Sequence, residues 1–226
     1  YQSRIDPYET AKTNVCGTLN LLNIIKNTSH VKKVIFTSSI YVYKNLSKTK
    51  ETDEIGYNGT PYGYEKLIGE EYLKIYSKLC GFDYVILRLS SVYGNGMKKG
   101  HIFDITQGLI NNEKIKLYVN RHSVYNFVYV DDVINALISS LKWKNEIVNI
   151  HSGKHFSLED IYKIMSKIMN RDVDIEDTEQ ILFFMGSYQK AMKLGRFGWS
   201  GWREKYSLEN GLKEYLYLLK KDERKN

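Results

Sequence analysis

The chain has 226 residues, 42% apolar and 26% charged, with a formal net charge of +7. That length suits one large domain or two small ones, and the balance is that of an ordinary globular fold. No run of about 18 apolar residues occurs, so no membrane span is expected. The lysines are spread along the chain without aromatic interleaving, so no nucleic-acid site is expected either, although the positive balance favours a small anionic ligand.

Asp6-Pro7 with Glu9 reads as a helix start, and Ala11, Val15, Leu19, Leu22 and Ile25 continue it as an amphipathic helix to about Lys26. "VKKVIFTSS" is a short buried strand ending in hydroxyls. Polar residues 44–60 lead to Thr60-Pro61, the start of a second helix reaching about Leu79, with Leu67, Tyr72, Leu73, Tyr76 and Leu79 suited to burial. "FDYVILRL" is the next buried strand. Helix, strand, helix, strand over residues 1–94 implies crossover units on a parallel sheet. Later segments are mixed: "KIKLYV", "YNFVYV" and "IVNI" read as strands, "DDVINALISSL" as a helix. Ser157 with Asp160 opens the helix "LEDIYKIMSKIM", and Ser207 opens the last one. Cys16 and Cys80 lie far apart without metal-type spacing, which suggests buried thiols in a reducing, cytoplasmic setting.

The pattern Tyr-x-x-x-Lys occurs three times: Tyr8/Lys12, Tyr62/Lys66 and Tyr217/Lys221. About two would arise by chance in a chain so rich in both residues. Context singles out the second. Tyr62 falls in the first turn of its helix and Lys66 one turn on, on the same face. The helix N-terminus and the ammonium are both expected to lower the tyrosine pKa from its usual value of about 10, which suits a general acid/base. Tyr64 faces elsewhere. Thr37, Ser38 and Ser39 end the preceding strand, where ligands bind in parallel α/β sheets.

The ordered segments "NVCGTLNLL", "VIFTSSIYVY", "PYGYEK", "ILRLSSVYG", "NFVYVDDVINAL" and "WSGWREKYSLENGL" resemble the extended short-chain dehydrogenase/reductases, in the branch of NAD-dependent epimerase/dehydratases that act mainly on nucleotide sugars. The resemblance runs through nearly the whole chain. It implies the C-terminal part of a Rossmann-like doubly wound parallel sheet at residues 1–94. A small mixed α/β substrate-binding region follows at 95–226, with about 127–150 returning to the sheet. It implies NAD or NADP as cofactor, Ser39, Tyr62 and Lys66 as catalytic residues, and Asn14, Thr37, Ser38 and Ser90 beside them on the cofactor. Ser91, Tyr118 and Tyr125 fall in the substrate region. A homodimer through the helices at about 7–26 and 61–79 is also implied.

The sequence departs from that family in three ways. The family's opening strand, Gly-rich turn and ribose selector are not found; "GNGMKKG" (Gly94–Gly100) lacks the glycine spacing and opens no clear apolar helix. A fragment of a complete enzyme is therefore expected, with a non-catalytic truncated relative as the alternative. Ile40 and Tyr41 stand where dehydratases carry an acidic pair, which leaves epimerisation or ketone reduction. Tyr125 and Asn126 replace a phosphate-pairing arginine and an acid, with Arg121 as a substitute, and Ser91 replaces an asparagine. His151 and His155 are not expected to bind metal, Asp131 and Asp132 read as helix caps, and Trp199 and Trp202 as packing.

Overall fold

The computed structural model describes residues 2–28, 30–46, 48–57, 59–117, 119–177, 193–194 and 204–223. In chain order the elements are α1 (Gln2–Ile5), α2 (Pro7–Ala11), a π-helical turn (Lys12–Cys16), α3 (Gly17–Lys26), β1 (Lys33–Ser39), a 3₁₀ turn (Ile40–Val42), β2 (Lys48–Thr49), α4 (Pro61–Cys80), β3 (Asp83–Leu89) and β4 (Ser91–Tyr93). They continue with α5 (His101–Asn111), β5 (Ile115–Leu117), β6 (Val124–Tyr125), β7 (Phe127–Tyr129), α6 (Val130–Ser140), β8 (Glu146–Ile150), β9 (Phe156–Ser157), α7 (Leu158–Met169), β10 (Ile175–Asp177), β11 (Lys193–Leu194) and α8 (Leu208–Glu223). The elements form two compact units. One contains the chain up to Ser90 together with Ile134–Ile150 and β11; the other contains Ser91–Val133, the segment from His151 to β10, and α8.

In the first unit β1, β3 and β8 form a parallel sheet, with β3 in the middle. Val34, Phe36 and Ile86 pack with Leu22, Ile25 and Leu73 from α3 and α4. Full burial of a side chain such as Leu22, Leu73 or Ile86 stabilises the fold by about 1.5–3 kcal/mol. α2 begins as its sequence implies: the Asp6 carboxylate accepts from the Glu9 N–H at 3.0 Å. The expected helix to Lys26 is present but carries the π turn, which periodicity alone does not reveal. Leu79 is 69% exposed, because α4 has turned its last residues away from the apolar cluster. Both cysteines are free, and both are exposed rather than buried: Cys16 ends the π turn and Cys80 is the last residue of α4.

The second unit gathers short strand pairs around an apolar cluster. β4 pairs with β7 and β5 with β10, both parallel, while β6 and β9 are antiparallel. Ile102, Ile105 and Leu109 from α5 meet Leu158, Ile161 and Met165 from α7 and Leu212, Tyr215 and Leu216 from α8. α7 starts with a reciprocal Ser157/Asp160 capping box, and the Ser207 hydroxyl accepts from the Asn210 N–H ahead of α8. The helix α5 corrects the reading of the stretch after Gly94. Its stripe of Ile102, Ile105 and Leu109 is diluted by Thr106, whose hydroxyl donates to the Ile102 carbonyl, and by Gly108, where a Cβ would come within 2.3 Å of Ile115. "YNFVYV" is two strands, not one. Asn126 is fully buried between them, and its side chain donates to the Ser152 and Lys154 carbonyls and accepts from the Ser152 N–H.

Candidate active site

α4 places the chemistry. The Thr60 hydroxyl caps it by accepting from the Gly63 N–H at 3.2 Å, and Pro61 supplies a first helical residue that needs no hydrogen-bond acceptor. The first turn presses against the 3₁₀ turn after β1. A Cβ on Gly63 would lie 2.1 Å from the Tyr41 carbonyl oxygen, so only glycine fits without a shift. Tyr62 therefore sits beside the end of β1, with its ring edge-on to Tyr41 at 6.4 Å between centroids.

Ser39, the last residue of β1, accepts from the Tyr41 N–H and is buried. Its hydrogen bond to Tyr62 favours the phenolate, but burial and the nearby Glu65 charge oppose it; burial dominates and holds the Tyr62 pKa above its ordinary value. The expected lowering is thus corrected: removal from water, with the Glu65 charge, outweighs what favours the phenolate. The Lys66 ammonium does not lie at the phenol oxygen. It donates to the Thr37 carbonyl at 3.0 Å, 5.1 Å from the Phe36 ring centre and 5.9 Å from that of Tyr62. Burial lowers its pKa, partly offset by Glu65.

Glu65 is buried, and its two oxygens accept from Thr10 Oγ1 at 2.8 Å and Asn14 Nδ2 at 2.7 Å. Asn14 is thereby tied to α4 from the π turn, a feature frequent at functional sites. Thr37 is exposed at the strand end. The Ser38 hydroxyl turns the other way and donates to Glu70. Ser90 follows β3; its N–H donates to the Ile150 carbonyl, and its buried hydroxyl has no protein partner among the described residues. The structure thus brings Asn14, Thr37, Ser38, Ser39, Tyr62, Lys66 and Ser90 into one unit.

Ser91 and Tyr125 belong to the other unit. The Ser91 N–H donates to the Asn126 carbonyl, and Tyr125 is buried, its ring against His101 and Phe127. Arg121 donates to the Ile175 carbonyl at 2.8 Å, which ties the loop before β6 to β10. Asp132 is more than a helix cap: its carboxylate accepts from the backbone N–H groups of Lys205 and Tyr206. Tyr118, Trp199 and Trp202 lie outside the described residues. Among the described residues no cluster of three His, Cys, Asp or Glu side chains could hold a metal, and no helix is long and apolar enough to cross a membrane.

Four residues near the site escaped the sequence reading: Tyr43, Glu70, Arg88 and Asn149. Arg88 and Glu70 form a fully buried ion pair, with Nη2 to Oε2 at 2.6 Å and Nε to Oε1 at 3.0 Å. Tyr43 covers the guanidinium at 4.7 Å and donates to Asn149 Oδ1 at 2.7 Å. The available signal was an arginine inside the apolar run "VILRL", where a charge requires a buried partner.

Residues 2–151 match the family model described as NAD dependent epimerase/dehydratase family. The chain belongs to that family. It is 31% identical over 230 residues to a Methanocaldococcus jannaschii protein provisionally named as a UDP-glucose 4-epimerase, covering 97% of this chain and 73% of that one. It is 28% identical to the UDP-glucuronate 4-epimerase of Thermodesulfobacterium geofontis, covering 92% and 65%. The crystal structure of the Thermotoga maritima UDP-glucose 4-epimerase with UDP-glucose superposes with a TM-score of 0.84 at 27% identity, over 97% of this chain and 73% of that one. The Thermus thermophilus UDP-glucose 4-epimerase complex with NAD shares the fold, with a TM-score of 0.81 at 20% identity. The chain therefore spans about two thirds to three quarters of these relatives, and its fold is the Rossmann-type α/β fold.

Proposed function

We propose that this chain carries the catalytic residues of an NAD(P)-dependent epimerase for a nucleotide-activated sugar, with Tyr62 as the acid/base. The observation that supports this reading is the placement of Tyr62 and Lys66 by one capped helix beside the end of β1, where the Tyr62 ring meets Tyr41 edge-on and the Thr37 carbonyl accepts from Lys66. The names of the relatives support a nucleoside-diphosphate sugar as substrate and 4-epimerisation as the reaction.

The residues present fit the nicotinamide–ribose end of the cofactor. An ammonium at the strand end, the exposed Thr37 hydroxyl and the buried Ser90 hydroxyl, which has no partner among the described residues, are groups that a ribose and a carboxamide would satisfy. When bound beside Lys66, Thr37 and Ser90, the dinucleotide would supply reversible hydride transfer at the sugar carbon. Tyr62 takes the proton of the hydroxyl on that carbon and later returns it to the same oxygen, while inversion at C4 comes from re-reduction on the opposite face of the carbon. Ser39 hydrogen-bonds the same oxygen and, through Tyr62, favours the phenolate. Lys66 holds the ribose and fixes the end of β1. Ile40 and Tyr41 offer no acid or base for expelling water, so the ketone is re-reduced rather than dehydrated.

The same reading carries a homodimer. Leu21 and Ile24 on α3 and Ile75 and Leu79 on α4 are each at least half exposed, a second apolar stripe beyond the one packed on the sheet. The test of the function is direct: the protein carrying this chain is incubated with NAD(P) and UDP-glucose or UDP-glucuronate, and the C4 epimer is sought by proton NMR. Turnover that persists in Tyr62→Phe would refute the assigned chemistry.

A further inference from the structure

We propose that Glu70 is a positioning residue for Tyr62 and Lys66, acting through a single buried polar layer that locks α4 to the sheet; this rests on the catalytic reading above. Ser38, Arg88 and Asn149 sit side by side in register on β1, β3 and β8. Their side chains therefore share one face of the sheet. Two residues earlier on that face the neighbours are Phe36 and Ile86, which are part of the apolar cluster. One residue later comes Ser39, where β1 ends. The polar layer thus adjoins the apolar cluster, one residue short of the strand end.

Glu70 joins that layer to the helix. Its Oε1 accepts from Ser38 Oγ at 2.5 Å and from Arg88 Nε, and its Oε2 accepts from Arg88 Nη2. Arg88 is 1% exposed and Glu70 0%. Desolvating such a pair offsets most of its attraction, and apolar residues of similar volume commonly stabilise a core as well. The layer is better explained by geometry. A bidentate fork resists sliding and rotation, whereas apolar side chains tolerate both. Glu70 is one turn beyond Lys66, which is one turn beyond Tyr62, all on α4. A displacement at Glu70 is transmitted along the helix to both. Ser38 lies between Thr37, which receives Lys66, and Ser39, which meets Tyr62. Both sides of each contact are therefore held by one carboxylate.

The test compares wild type with Glu70→Leu/Arg88→Met, which removes both charges together and leaves only the Ser38 hydroxyl without its acceptor. Tm, kcat and KM are measured in the protein carrying this chain. The titration of Lys66 is followed by NMR of ¹³C-dimethylated lysines, assigned with Lys66→Arg. The expected result is a near-native Tm, kcat reduced about 10–100-fold, KM little changed, and a Lys66 titration moved toward that of an ordinary lysine. A stable double variant with native kcat and an unmoved Lys66 titration overturns the proposal. Should the double variant fail to fold, Ser38→Ala, which removes only the hydroxyl on Glu70, is read the same way; an unchanged kcat and Lys66 titration there overturns it. Should wild type show no epimerisation, the catalytic reading fails, while the Lys66 titration still decides whether Glu70 positions the lysine.

Discussion

Lys66 is anchored on the strand and not on the phenol: its Nζ donates to the Thr37 carbonyl at 3.0 Å, while the centre of the Tyr62 ring is 5.9 Å away. The ammonium therefore ties α4 to β1 and stays within reach of a ligand hydroxyl at the strand end. Lys66→Met should weaken cofactor binding and turnover together. Fluorescence titration with NADH beside steady-state kinetics checks this; a variant with native cofactor affinity would contradict it.

Tyr62→Phe and Tyr64→Phe make a paired test. Tyr62 lies against Ser39 and Tyr41, whereas Tyr64 is 49% exposed. Removing the Tyr62 hydroxyl should cost about 10²–10⁴-fold in kcat with cofactor binding nearly intact. Tyr64→Phe should be close to silent. Equal damage from both would mean that a different face of α4 carries the chemistry.

Gly63→Ala should be costly despite its small size. The new methyl would meet the Tyr41 carbonyl, which belongs to the backbone and cannot rotate away. Overpacking of this kind typically destabilises by about 1–3 kcal/mol. The shift falls on the turn that holds Tyr62, so kcat should fall further than the loss of stability explains. Denaturant unfolding and kinetics on the same preparation separate the two effects.

Alkaline pH should unfold the protein partly through Tyr43. Burial raises its pKa from 10.0 to about 12, with Arg88 opposing. A group with a raised folded pKa contributes stability that is complete below its unfolded pKa and lost as pH rises through the folded one. The window is therefore about pH 10 to 12. Tyr43→Phe should flatten the fall of the urea midpoint across that window; an unchanged slope would rule Tyr43 out as a source of the loss.

The proposed dimer is checked by light scattering on Leu21→Lys/Leu79→Lys. Wild type should have the mass of a dimer and the variant that of a monomer. A monomeric wild type removes the proposal.

Much of this arrangement was legible in the sequence because it rests on local signals. Thr60-Pro61 and Ser157/Asp160 announce helix starts by capping chemistry, and "VIFTSS" announces a strand by its β-branched run. What was not legible depends on partners distant in sequence. The Tyr62 pKa is set by burial, which spacing does not reveal. Glu70 reads as a surface charge until Arg88 and Ser38 are placed beside it. The helix α5 was obscured because Thr106 and Gly108 interrupt its apolar stripe where the packing needs a hydroxyl and a bare backbone.

The order of the chain has a consequence for how the protein is made. β8 completes the first unit's sheet by pairing with β3, yet it is synthesised only after Ser91–Val133, which belong to the other unit. During translation β1 and β3 can pair at once, but the far edge of β3 must wait, with Val85, Ile86 and Leu87 lacking their neighbour. Such non-local pairing is slow, and an unpaired apolar edge on a nascent chain is where misassembly begins. The layer of Ser38, Arg88 and Asn149 likewise lacks its third member until β8 arrives.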